Sequence, residues 1–84
     1  MKYFVYILFS EKCNRYYVGY SIDPDKRLIE KHNKGYVTAT KNCNPYILIK
    51  TKEYNSEIEA IIEEKRIKKM KSRIYIESLI NENW

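Results

Sequence analysis

At 84 residues, with 44% hydrophobic and 32% charged side chains, the chain has room for one domain and one core. That content excludes a disordered polyelectrolyte, and no apolar run is long enough for a membrane-spanning helix. Sixteen Lys and Arg against eleven Asp and Glu leave a net charge of +5, which favours a polyanionic partner, nucleic acid before an anionic membrane.

Residues 3–9 (Tyr-Phe-Val-Tyr-Ile-Leu-Phe) are dense in β-branched and aromatic side chains and read as a strand, not as a secretion signal. Residues 16–20 (Tyr-Tyr-Val-Gly-Tyr) form a second strand, and the polar stretch between them predicts an antiparallel hairpin. Gly19 is locally unfavourable in a strand and marks either a bulge or a close approach to the backbone. Asp23-Pro24 opens a helix over residues 24–33, with Gly35 as its stop. Residues 36–45 read as a surface-crossing loop, and a third strand follows near 46–52. Ser56 and Glu59 make a capping box for the longest helix, 57–71. Ser72 breaks or caps it, and a short helix over 73–80 carries Ile74, Ile76, Leu79 and Ile80. The expectation is a single α+β domain over residues 1–84. It has a three-stranded antiparallel sheet flanked by three helices in the order β-β-α-β-α-α.

Three features invite chemistry, and each has a plainer reading beside it. Tyr6 and Tyr17 lie on adjacent strands and can meet as a pair, although tyrosines suit any half-buried sheet. On the long helix, Glu64 has Ala60, Ile61, Ile67 and Lys68 as neighbours at helical spacing, while Glu63 sits among Glu59, Ala60, Arg66 and Ile67. Glu64 is thus the acid expected at the core's edge, where it needs either a cationic side chain or a metal. Arg66, Lys68, Lys69 and Arg73 belong to a basic run that either attracts phosphates or only complements the helix dipole. Cys13, Cys43 and the single His32 have no zinc spacing. The alternatives are a single disulfide and free thiols in a reducing cytoplasm, and free thiols are the expectation.

Val5-Tyr6 followed by Tyr17-Val18-Gly19 resembles the two half-motifs of the GIY-YIG nuclease superfamily, with Phe4 in place of the first glycine. The likeness continues through Asp23-Pro24-Asp25-Lys26-Arg27-Leu28, His32-Asn33-Lys34-Gly35, Thr40-Lys41, Pro45, Glu59-Ala60, Glu64, Ile67-Lys68 and Lys71-Ser72-Arg73. It spans essentially the whole chain and is strongest with the small single-domain members.

That resemblance implies a DNA endonuclease using one Mg²⁺ or Mn²⁺ ion. It makes Tyr17 the general base or water-positioning phenol and Tyr6 its partner. Arg27 becomes the guanidinium on the scissile phosphate, His32 a further catalytic group, and Glu64 the metal ligand. A tyrosine of ordinary pKa about 10 is a poor base at neutral pH unless a cation stabilises its phenolate. Phosphodiester hydrolysis needs an in-line water, charge neutralisation and help for the leaving alkoxide, and those residue types supply them. Low sequence specificity follows from a chain with little beyond the catalytic module to read bases, and branched, damaged or single-stranded DNA are the substrates considered.

Two positions depart from the pattern. Relatives place the histidine four residues after the arginine, whereas His32 is five after Arg27. On a regular helix that moves the side chain from about 40° to about 140° away, so the helix must end or bulge for His32 to arrive. The lysine some relatives carry three residues after the second tyrosine is Tyr20 here. Competing readings are a non-catalytic nucleic-acid-binding module of the same fold and a basic adaptor using its exposed aromatics.

Overall fold

The aromatic run Tyr3–Ser10 forms β1, the central strand of a sheet ordered β2-β1-β3, with β2 at Arg15–Ser21 and β3 at Ile47–Tyr54. The computed structural model describes residues 1–28, 32–35, 42–82 and 84. Helix α1 covers Pro24–Arg27, α2 Glu57–Met70 and α3 Arg73–Asn81, giving the expected order. Both strand pairs are antiparallel. No helix among the described residues is long and apolar enough to cross a membrane.

Strand alternation divides the core into two layers. Val5, Ile7 and Val18 face α2 and α3, and they pack with Ala60 and Ile67 beneath Tyr75, Ile76, Leu79 and Trp84. Tyr6 and Leu8 face the other way, toward Tyr17, Leu28, Cys43, Tyr46 and Leu48. A β-bulge between the β1 partners Lys50 and Leu48 makes this arrangement work on β3. It turns Leu48 to the Leu8 layer and Lys50 to the Ile7 layer, although the two share parity. Lys50 Nζ then donates to the carbonyls of Leu79, Ile80 and Glu82, closing the C-terminal end of α3.

The helix signals perform as their chemistry requires. Asp23, Ser56 and Ser72 accept the N–H groups of Lys26, Glu59 and Tyr75 respectively. Lys71 ends α2 in the left-handed region, at φ 49° and ψ 39°, where glycine or asparagine is the comfortable choice. The helix expected over 24–33 is regular only to Arg27. Residues 29–31, and 36–41 of the expected loop, lie outside the described residues.

The free-thiol expectation is overturned. Cys13 in the hairpin and Cys43 before β3 form a disulfide with a Cα–Cα distance of 5.5 Å. Ser10 Oγ donates to Cys43 O at 2.6 Å and so draws the two segments together. Thirty positions of separation gave no spacing signal in the sequence.

Candidate active site

The site grows from the pairing of Tyr6 with Gly19 across β1 and β2. Leu8 pairs with Tyr17, so Tyr6, Leu8, Tyr17 and Gly19 share one face of the sheet, as expected for the two tyrosines. The Tyr6 ring lies flat across Gly19. A Cβ built there would stand 2.4 Å from Tyr6 Oη and 2.6 Å from its Cζ. Gly19 is therefore the close approach, not the bulge, and it lets the Tyr6 hydroxyl reach toward the outer edge of β2.

At that hydroxyl a short relay is assembled. Arg27 Nε donates to Tyr6 Oη at 3.3 Å, and Tyr6 Oη lies 2.8 Å from His32 Nε2. With its oxygen accepting from Arg27, the Tyr6 O–H donates to Nε2, which puts the imidazole proton on Nδ1. The His32 ring also sits against Tyr17, with centroids 5.0 Å apart, and meets Tyr6 edge-on at 5.8 Å. Tyr6 is 1% exposed and His32 is fully buried.

The five-residue spacing of Arg27 and His32 is resolved by the turn itself. Asn33 N–H reaches back to Leu28 O at 2.9 Å, an i-to-i+5 bond that takes up the extra residue. Asn33 then clamps the start of β3, its side chain donating to Tyr46 O and accepting from Tyr46 N–H. His32 reaches the site because the regular helix ends first.

Burial sets the protonation states. It pushes the Tyr6 phenol up to about 12 despite Arg27, so Tyr6 stays protonated near neutrality. Burial, with help from the Arg27 charge, holds His32 down at about 4, so the imidazole is neutral. An unfolded histidine, near 6.5, binds a proton that folded His32 does not. Stability should therefore fall as pH drops from about 6.5 to about 4, by about 3 kcal/mol. Denaturant titrations at pH 7, 5.5 and 4.5 should show this slope, and His32→Asn should flatten it. Equal slopes in the two proteins would mean that His32 titrates normally.

Glu64 approaches from the opposite layer. On α2 the buried seam is Ala60 and Ile67, and Glu63 and Glu64 flank it on either side. Glu64 lies on the β2 side, where its charge acts on the phenols of Tyr6 and Tyr20. Its partner is Lys68 Nζ at 3.5 Å, and the same ammonium stands 5.2 Å over the Tyr17 ring. Tyr6, Tyr17, Arg27, His32 and Glu64 thus gather at the rim of one edge strand.

The contrast drawn between the two acids needs correcting. Glu63 and Glu64 side chains are 14% and 15% exposed, so Glu63 is as sheltered as Glu64. Arg66 grips Glu63 with two bonds, at 2.6 and 2.8 Å, and Trp84 Nε1 donates to it at 2.9 Å. These bonds, Arg66 foremost, hold the Glu63 carboxyl at about 2. The sequence wheel showed Arg66 beside Glu63 but could not show Trp84 arriving from the end of the chain.

The basic run divides by employment. Arg66 is engaged by Glu63 and by the Tyr75 hydroxyl. Arg73 donates to Asn14 O and Oδ1, each at 2.9 Å, and its guanidinium covers Tyr16. Lys68 is shared between Glu64 and Tyr17, and Lys69 is exposed. Two of the four expected phosphate contacts, Arg66 and Arg73, thus also perform structural work.

A hard cation on the half-buried Glu64 carboxylate would displace the Lys68 ammonium, now at 3.5 Å, and fill its remaining positions with water and phosphate oxygens. Among the described residues no group of three or more His, Cys, Asp or Glu could cage a metal.

The GIY-YIG catalytic domain family matches residues 2–77. A UPF0213 protein from Bacillus halodurans, whose structure was determined in solution by NMR, is 34% identical with a TM-score of 0.60. The match covers 96% of this chain and 84% of that one. No curated protein sequence matches the chain.

Proposed function

Because this chain belongs to the GIY-YIG catalytic domain family, we propose that it is a divalent-metal-dependent endonuclease that hydrolyses DNA phosphodiester bonds with low sequence specificity. The observation that carries this reading is the Arg27–Tyr6–His32 relay lying beside Tyr17, within the field of the Glu64 carboxylate.

Each group has a task its surroundings suit. Arg27 spends its Nε on Tyr6, and its Nη nitrogens serve the scissile phosphate, where a planar fork matches the oxygens. Tyr17 positions the attacking water. Tyr6, held protonated, is no base; its hydroxyl accepts from Arg27 and donates to His32, and so orients both. His32 remains neutral and accepts the Tyr6 proton bond, which fixes that hydroxyl's direction. Glu64 would hold one Mg²⁺ or Mn²⁺ ion, which when bound supplies charge neutralisation on the phosphate and its leaving oxygen. Lys68 must release Glu64 for that role.

One observation favours a second reading, a nucleic-acid-binding module without turnover. The Lys68 ammonium already neutralises Glu64. Incubating supercoiled plasmid, single-stranded DNA and a branched junction with the protein separates the two. Nicking with Mg²⁺ or Mn²⁺ that stops with chelator is expected. Binding without nicking in either metal would leave the binding module.

A further inference from the structure

Beyond the relay, along the outer edge of β2, lies a cavity of about 500 Å³ between the hairpin and the junction of α2 with α3. Tyr17 and Lys68 of the candidate site form part of its wall, so it continues directly from the site. Its apolar lining is Val18, Ile67 and Ile76. Its cationic lining is Arg15, Lys68, Lys71 and Arg73, and among the described residues no acid lines it.

The four cations differ in how free they are. Lys68 is paired with Glu64, and Arg73 is bound to Asn14 and paired with Glu77 at 3.5 Å. Arg15 and Lys71 are exposed and carry no ion pair or side-chain hydrogen bond among the described residues. Lys71 is also the residue held in the left-handed region, at φ 49°. A residue with a Cβ is disfavoured in that conformation, and a strained position at the mouth of a cavity points to a role for its side chain.

The occupant follows from this chemistry. An apolar floor beside two unengaged cations calls for a ligand with a flat apolar part and an anionic part. The four cations repel a metal ion, and an apolar peptide would leave them without a partner. A base inside a duplex stack cannot enter, because duplex DNA presents phosphates outward and keeps its bases paired within. We propose that the cavity receives an unpaired nucleotide of the substrate strand, its phosphate on Arg15 and Lys71 and its base against Val18, Ile67 and Ile76. The inference rests on the nucleic-acid substrate proposed above and narrows it to DNA with a single-stranded segment beside the scissile bond.

Fluorescence anisotropy with an end-labelled thymidylate 12-mer tests this without requiring cleavage. Lys71→Asn and Arg15→Gln should each weaken binding about fivefold at 0.1 M salt and lower the log–log salt slope by about 0.7, one single-strand phosphate contact. A blunt duplex of the same length should lose less than the 12-mer. An abasic 12-mer should bind about fivefold more weakly than the thymidylate, because it forfeits the apolar burial of the base. Lys71→Asn should also raise the melting temperature by roughly 4 °C, since asparagine tolerates the left-handed conformation. Unchanged 12-mer binding in both variants would overturn the proposal. Equal losses on 12-mer and duplex, or an abasic strand that binds as well as thymidylate, would do the same by removing the base from the cavity. Free thymidine monophosphate that binds as tightly as the 12-mer would replace the strand with a free nucleotide, and overturn it too. A protein that passes every binding arm yet nicks nothing keeps the cavity and loses the nuclease.

Discussion

Gly19→Ala should reduce metal-dependent nicking by about 100-fold, the scale expected when a catalytic group is displaced by about an ångström. The added methyl would stand 2.4 Å from Tyr6 Oη and 2.6 Å from Cζ, and that ring is buried and held by Arg27 and His32. Tyr6 has to leave its place, and overpacking of this kind costs about 1–3 kcal/mol of stability. A double-mutant cycle makes the cause visible. In a Tyr6→Leu background the same Gly19→Ala change should cost little stability, because no ring crosses position 19. A single Gly19→Ala protein with full activity and an unchanged melting temperature would refute the arrangement.

Glu64→Gln should abolish metal-dependent cleavage while leaving the fold and DNA binding in place. The amide keeps the shape but loses the charge, and only the Lys68 pairing at 3.5 Å is given up in the folded protein. Glu63→Gln should behave in the opposite way. It removes the charge that Arg66 and Trp84 enclose, so it should cost about 2 kcal/mol of stability, typical of hydrogen bonds to a charged group. Its cleavage rate per folded molecule should stay near wild type. Comparable nicking by wild type and Glu64→Gln would place the metal elsewhere. Unfolding of Glu64→Gln would instead make Glu64 a structural ion-pair partner.

The strands and helices were legible because each carries its own local chemistry. Asp23-Pro24, Ser56 with Glu59, and the alternating run after Tyr3 act over a few residues, so reading them needs no tertiary knowledge. The Tyr6–Tyr17 face was legible for the same reason, since parity across a hairpin follows once the hairpin is assigned. What escaped depends on distant parts of the chain. Trp84 reaching Glu63 comes from 21 positions away, and Cys13 pairing with Cys43 from 30. His32 falls between the two cases. Its misfit spacing was visible, but the reach of Asn33 back to Leu28 is backbone geometry that no residue type specifies.

The Cys13–Cys43 bridge also changes how the molecule bears load. Tension applied at Met1 and Trp84 passes across the bridge, so the loop between the cysteines, which are 30 positions apart, carries no force. Full extension falls short by about 100 Å, the reach of that many residues drawn straight. Tyr17, Arg27 and His32 lie within this sheltered arc, while Tyr6 and Glu64 lie on the segments that stretch. A motor that threads the chain from either end would meet a closed loop and would have to draw three strands abreast through its pore, two arms of the loop and the remaining tail, until a thiol opened the bridge.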